Sequence, residues 1–230
     1  MKITTYTKEE LRDHSYLFNP TALCEIMGRN KSDKGCENLD RGHNYTPIYF
    51  KLFKGLRNKE INIFELGVGT TNPKIHCNMG KNGRPGASLY GWAEFFTKAN
   101  IYGADLDTDI LFNTERIKTF YCDQTNPDII HRMWDSEDLI NKDFDIILED
   151  GLHCEKAQIC FFENSINKLK VGGYYIIEDI HYHKFISMCD RFHNFKKEGK
   201  YSNLEVSIYQ IPFPYKTKNL SNGIVVIKKV

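Results

Sequence analysis

Residues 61–69 read INIFELGVG, a short apolar run that ends in two glycines. Such a run is typical of a buried strand, and glycines allow a tight turn directly after it. Similar runs follow along the chain, separated in most cases by segments with helical spacing. The later strand-like runs lie at 100–106, 117–123, 144–150 and 172–179. This alternation predicts an α/β protein with a mainly parallel sheet covered by helices on both faces.

The two ends of the chain have a different pattern. Residues 204–213 and 223–230 are strand-like with no helix between them, which predicts an antiparallel hairpin at the sheet edge and a seven-stranded sheet in total. The first 60 residues hold short helical patterns around a polar stretch. We therefore expect a helical cap or lid at 1–60, followed by the main domain at 61–230.

The composition and net charge of the chain disfavour some classes of binding partner. The chain has 230 residues and a net charge of +1, which gives no long-range field for nucleic acid or membrane surfaces, so a small-molecule substrate is favoured. No stretch reaches the roughly 18 apolar residues that span a bilayer, and the first residues contain no apolar signal segment. Seven cysteines without a C-x-x-C pair indicate neither disulfides nor zinc. The sequence thus predicts a cytoplasmic protein without a membrane span.

Carboxylates follow each of the five alternating strands. Ligands of parallel sheets bind beyond the carboxyl ends of the strands, so acids at these positions are candidate site residues. The acids are Glu65, Asp105, Asp123, Asp150, and the adjacent pair Glu178 and Asp179.

The glycine turn after the first of these strands permits two interpretations. A dinucleotide fingerprint would need a third glycine where Asn72 stands, and Asp105 lies 38 residues after Gly67 instead of about 20. An NAD-dependent nucleotide-sugar oxidoreductase or epimerase is therefore disfavoured. A carboxylate at Asp105 can still accept hydrogen bonds from ribose hydroxyls, so adenosine without phosphates fits better.

The motifs together resemble those of a known family. The order of FELGVG, GADLD, CDQ, EDGLH and LKVGGYYIIED is similar to class I S-adenosylmethionine-dependent methyltransferases over about residues 61–230. SDKG (32–35) and HNYTPIYFKLF (43–53), with EDGLH (149–153), resemble the metal-dependent sugar O-methyltransferases of the mycinamicin-pathway type. The resemblance implies a Rossmann-like fold, S-adenosylmethionine as cofactor, and a sugar hydroxyl as acceptor.

The resemblance also implies which residues bind the cofactor. The adenine would lie by Asp123 and Gln124, and the ribose on Asp105. The methionine end would lie near Tyr45, Thr46, Glu65, Gly67 and Ser88.

A second constellation comprises Asp150, Glu178 and Asp179, which end two neighbouring predicted strands. Their oxygens could converge on one divalent cation, and Mg²⁺ suits an all-oxygen set. Helix capping is the alternative reading of these acids. His153, three residues after Asp150, is the candidate general base, because its ordinary pKa near 6.5 suits that role; a solvated loop histidine is the alternative.

The expected activity is methyl transfer from S-adenosylmethionine to a hydroxyl of a sugar or nucleotide sugar. The alternative is a non-catalytic domain that binds the same cofactor. The 23 lysines against 8 arginines are typical of an AT-rich bacterial genome, which leads to the hypothesis of a role in capsule or surface polysaccharide synthesis. A homo-oligomer remains an open alternative.

Overall fold

The computed structural model describes residues 1–35, 42–212 and 221–230. Within these ranges eight strands form one sheet. The strands are β1 Lys2–Tyr6, β2 Asn62–Leu66, β3 Asn100–Asp105, β4 Ile117–Tyr121, β5 Phe144–Glu149, β6 Leu169–His181, β7 Leu204–Gln210 and β8 Ser221–Lys229. The helices are α1 Lys8–Leu11, α2 Ala22–Arg29, α3 Thr46–Phe53, α4 Ala87–Phe95, α5 Pro127–Trp134, α6 Glu155–Ser165 and α7 Phe185–Lys197.

The sheet is mixed and mostly parallel, as predicted. The strand order is β1-β7-β8-β6-β5-β2-β3-β4, and β8 runs antiparallel to both of its neighbours. The predicted terminal hairpin is confirmed as a pair of antiparallel strands, but its predicted place at the sheet edge is wrong, because β1 lies outside β7. The connection at 213–220 lies outside the described residues, as do 36–41 of the predicted polar stretch. The chain leaves β2 in one direction through β3 and β4 and returns on its other side with β5, so β2 and β5 mark the switch point of the sheet.

The predicted count of seven strands is one short. β1 pairs in parallel with β7 from Lys2 opposite Glu205 to Tyr6 opposite Tyr209, and it forms an edge of the sheet. None of its five side chains is fully buried, so the segment lacks the apolar alternation by which a strand is recognised in sequence. Residues 1–60 thus contain a strand of the main sheet in addition to the predicted short helices.

The core lies on both faces of the sheet. On β2, Ile63 packs into one cluster of buried side chains and Phe64 into the other, because successive side chains of a strand point to opposite faces. One face is covered by α2, α3 and α4, and the other by α5, α6 and α7. In the described part of the chain, no helix has the length and apolar character needed to cross a bilayer.

Candidate functional site

A cavity of about 460 Å³ opens at the carboxyl ends of β2, β3 and β5, which is the switch point of the sheet. This volume lies within the range of small-molecule sites. Its wall combines the turn after β2, the long 69–86 connection and the segment after β5. The cavity therefore lies where the sequence predicted ligand binding.

The turn after β2 is tied to the end of β3 through Asp105. The backbone N–H groups of Val68 and Gly69 donate to Oδ2 of Asp105, at 2.8 and 3.3 Å, and the N–H of Asp107 donates to Oδ1 at 2.9 Å. Burial raises the pKa of Asp105, although these backbone hydrogen bonds oppose the shift. Asp105 thus faces the cavity and also holds the glycine turn in place.

Gly67 is required at its position for steric reasons. Its φ is +95°, and a Cβ added there would lie 2.0 Å from the carbonyl oxygen of Asp150. We expect Gly67→Ala to lower the free energy of unfolding by about 2–4 kcal/mol through overpacking and backbone strain. Urea denaturation measures this loss. Gly55→Ala is the matched control, because nothing lies within 4 Å of a Cβ at Gly55; equal losses in both variants would contradict the close approach.

The predicted cofactor residues divide into two groups. Those that line the cavity are Gly67, Ser88, Asp105, Asp123 and Gln124. Those that lie behind its wall are Tyr45, Thr46 and Glu65, each of them fully buried.

The residues behind the wall are engaged by other protein groups. Oε1 of Glu65 accepts a hydrogen bond from Oγ of Ser88 at 2.7 Å, and its Oε2 accepts one from Nε1 of Trp92. Burial raises the pKa of Glu65. Thr46 Oγ1 lies 2.9 Å from Sγ of Cys24. In this structure Glu65 therefore orients Ser88, a residue that does line the cavity.

At the other end of the cavity, Gln124 is oriented by a residue that sequence analysis did not single out. Its Nε2 donates to Oε1 of Glu149 at 2.7 Å, and its Oε1 accepts from the N–H of Leu152 at 2.7 Å. Glu149 is fully buried, and burial raises its pKa to about 7. The sequence signal for Glu149 is its place in the EDGLH motif, directly before the predicted metal ligand Asp150.

Asp150, His153 and Asp179 meet at one side of the cavity. The imidazole lies between the two carboxylates, with Nε2 3.1 Å from Oδ1 of Asp150 and Nδ1 3.3 Å from Oδ2 of Asp179. One potential ligand atom from each residue lies within 4.8 Å of the other two. Burial lowers the pKa of His153, but the two carboxylates outweigh burial and hold it well above its ordinary value.

The backbone at this cluster is constrained. His153 and Asp179 have φ values of +54° and +56°, a backbone region that residues other than glycine rarely adopt. In β6, Ile177 pairs with Val225 and Ile180 with Gly223, so three steps on β6 face two on β8 and form a bulge at Asp179. A regular strand would send adjacent side chains to opposite faces.

Because of the bulge, two consecutive carboxylates contact tyrosines one helical turn apart, Tyr49 in α3 and Tyr45 directly before it. Glu178 accepts a hydrogen bond from the Tyr49 hydroxyl at 2.7 Å, and Asp179 accepts one from the Tyr45 hydroxyl at 2.6 Å. The structure thus brings Asp150 and Asp179 together with His153, as predicted. Glu178 lies beside them, outside the three-residue cluster.

Lys34 is the functional candidate that sequence analysis missed. It is 1% exposed, and its Nζ donates to Asp150 and, at 2.7 Å, to Glu178, and lies 3.4 Å from Glu65. Burial alone would lower its pKa, but these carboxylates hold it well above the ordinary value. SDKG was recognised only as part of a motif, because a lysine in a polar stretch gives no sign of burial.

The donor set fits a divalent cation. Asp150 and Asp179 present carboxylate oxygens on either side of one imidazole, and Glu178 adds a third carboxylate nearby. Mg²⁺ takes oxygen ligands and commonly binds proteins through one or two carboxylates. The residues present therefore suit the cation that the sequence predicted.

Comparison with known proteins supports the predicted methyltransferase class. No family model matches the chain. The fold is an α/β methyltransferase fold: the structure of MycE methyltransferase from the mycinamycin biosynthetic pathway, in complex with Mg and SAH, aligns with a TM-score of 0.67 at 20% identity, covering 92% of this chain and 55% of that one.

Two curated relatives narrow the resemblance. Demethylmacrocin O-methyltransferase of Streptomyces fradiae and mycinamicin VI 2''-O-methyltransferase of Micromonospora griseorubida are each 30% identical over 138 residues, 60% of this chain. The chain spans about a third of the length of these relatives, 32% of each. The predicted resemblance to sugar O-methyltransferases of the mycinamicin-pathway type is confirmed.

Proposed function

We propose that this protein is an S-adenosylmethionine-dependent O-methyltransferase that acts on a hydroxyl of a sugar or of a sugar-containing molecule. One observation carries the proposal: a single cavity joins the side chains predicted to bind adenosine, at the switch point, to the cluster of Asp150, His153 and Asp179. The first group suits the cofactor and the second suits activation of a hydroxyl. The names of the two curated relatives support methyl transfer to an oxygen, and the sugar acceptor rests on the resemblance of the motifs.

The cofactor is proposed to lie along the cavity. Asp123 and Gln124 would contact the adenine and Asp105 the ribose hydroxyls, since all three side chains line the wall. Gly67 and Ser88 would lie at the methionine end. Behind the wall, Glu65 would support this end through its bond to Ser88, while Tyr45 bonds to Asp179 of the carboxylate cluster and Thr46 contacts Cys24.

Asp150, Glu178 and Asp179 are the proposed ligands of a divalent cation, Mg²⁺ by the chemistry of the set. When bound, the cation would lower the pKa of the acceptor hydroxyl. Asp150 and Asp179 already face each other across His153. Glu178 keeps free lone pairs on its oxygens beyond the bonds to Lys34 and Tyr49, since each carboxylate oxygen has two.

His153 is proposed as the general base. Two carboxylates fix the orientation of its ring, and its side chain lines the cavity beside the turn. With Asp150 and Asp179 engaged as ligands of a cation, their stabilisation of the protonated imidazole would weaken, so that His153 could start the reaction unprotonated. In the reaction, the imidazole takes the hydroxyl proton while the acceptor oxygen attacks the methyl carbon and the carbon–sulfur bond breaks. S-adenosylhomocysteine then leaves with the electron pair of that bond. Orientation of the three atoms in line is the main contribution of the fold.

Residues 1–60 are proposed to act as a cap, because they supply Lys34, Tyr45 and Tyr49 to the inner side of the site. The cytoplasmic location and the role in surface polysaccharide synthesis remain predictions from the sequence.

Calorimetry on the purified protein tests the proposal. We expect S-adenosylhomocysteine to bind and NAD to give no saturable heat, because the site lacks the glycine fingerprint for a diphosphate. Asp123→Ala is expected to weaken S-adenosylhomocysteine binding about 10-fold through loss of a charged hydrogen-bond acceptor. Asp138→Ala, an exposed acid outside the cavity, is the control. NAD binding without S-adenosylhomocysteine binding would contradict the proposed reaction.

A further inference from the structure

A second cleft, of about 470 Å³, shares His153 with the proposed cofactor cavity. A molecule bound in this cleft would therefore lie beside the imidazole that the cofactor cavity also reaches. The cleft is formed by the beginnings of α6 and α7. It is therefore the place for an acceptor, an inference that rests on the proposed methyl transfer.

Three of the eight residues that line this cleft are lysine or arginine. Lys156, Lys184 and Arg191 carry fixed positive charges, and His181 and His183 lie beside them. The one acid in the lining is Glu155, whose carboxylate accepts a hydrogen bond from Ser187 and lies 3.5 Å from Arg191. Among the residues that the structure describes, no carboxylate forms an ion pair with Lys156 or Lys184. The cleft thus carries an excess of positive charge although the chain as a whole is nearly neutral.

The two lysines occupy positions that disfavour a cation. Lys156 lies in the first turn of α6, and Lys184 directly precedes α7, which has no acid in its first turn. The N-terminal end of a helix is the positive end of its dipole, so a lysine there lowers the stability of the helix. Neither helix start receives a side-chain capping hydrogen bond. These helix ends add to the positive charge of the side chains.

We propose that this cleft binds an anionic group of the acceptor and so selects a charged sugar. The group is a phosphate or diphosphate that joins the sugar to a carrier, or a carboxylate on the sugar ring; both are oxyanions that lysine, arginine and backbone N–H groups bind. The anion compensates the two lysines at the helix starts. The neutral part of the sugar then faces His153.

Calorimetry on the protein loaded with S-adenosylhomocysteine tests this assignment. The charged probes are UDP-glucose, GDP-mannose and glucuronic acid, and glucose is the neutral probe. We expect at least one charged probe to bind about 10-fold or more tightly than glucose, with an affinity that falls as salt rises. Preference for the nucleotide sugars identifies a diphosphate, and preference for glucuronic acid identifies a carboxylate.

The double variant Lys156→Gln, Lys184→Gln separates binding from folding. We expect it to weaken binding of the preferred charged probe about 10-fold or more, to leave the affinity for S-adenosylhomocysteine within about twofold, and to raise the thermal midpoint slightly. Lys196→Gln with Lys197→Gln is the matched control, because it removes the same charge from the last turn of α7, outside the cleft.

The outcomes distinguish the two proposals. Binding of S-adenosylhomocysteine with no preference for charged probes over glucose would overturn the anion site and leave the methyltransferase proposal intact. An equal loss of probe binding in the control double variant would also overturn it, because the charge would then act at long range. Failure to bind S-adenosylhomocysteine would instead contradict the proposed function.

Discussion

Lys34→Met is expected to lower the free energy of unfolding by about 3–5 kcal/mol, which is the usual loss when one partner of a buried charge pair is removed. The Lys34 ammonium is 1% exposed and contacts Asp150 and Glu178. Without it, both carboxylates lose their cation, and Glu178, which is 1% exposed, keeps a negative charge that water does not reach. Urea denaturation followed by circular dichroism measures the loss.

Lys118→Met is the matched control for this variant. Lys118 also pairs with one carboxylate, Asp138, but both side chains are nearly half exposed, at 46% and 44%. Exposed pairs contribute at most about 1 kcal/mol. Similar losses in the two variants would show that the Lys34 charge is not a buried stabilising group. Adding Glu178→Gln to Lys34→Met should recover about 1–3 kcal/mol, since the two residues interact directly.

Asp150→Asn is expected to weaken Mg²⁺ binding at least about 100-fold, measured by calorimetry in the presence of S-adenosylhomocysteine. The substitution replaces one of the two carboxylates that face each other across His153 with a neutral amide. Loss of a direct ligand should exceed the 10–100-fold effect of removing a group that only supports a ligand.

Asp123→Asn is the control for the effect of Asp150→Asn on Mg²⁺ affinity. It removes the same charge from the wall of the same cavity, but Asp123 lies outside the three-residue cluster. We expect its Mg²⁺ affinity to stay within about threefold of the unaltered protein, since a charge in a solvated cavity is screened. Equal weakening by both substitutions would mean that the ion responds to the total charge of the cavity and has no site at Asp150.

Most of the sheet could be predicted because its inner strands are short apolar runs between helical segments. The glycine turn and the acids at the strand ends were also readable, since parallel strands bring their carboxyl ends to one edge. For this reason the meeting of Asp150 with Asp179 was predicted correctly. The edge strand β1 was not, because no side chain of its five is fully buried and its partner β7 lies about 200 residues away in the chain.

The sequence alone therefore determined the α/β class, the position of the cavity and the acids around it, because these depend on local apolar periodicity and on the geometry common to parallel sheets. Only the tertiary structure decided that Lys34 enters the carboxylate cluster and that Glu65 lies behind the cavity wall. It also decided that a bulge turns Glu178 and Asp179 toward two tyrosines, one in α3 and the other directly before it. These features depend on contacts between distant parts of the chain. No local sequence pattern predicts which buried charged groups will contact each other, because those contacts depend on how the folded elements pack.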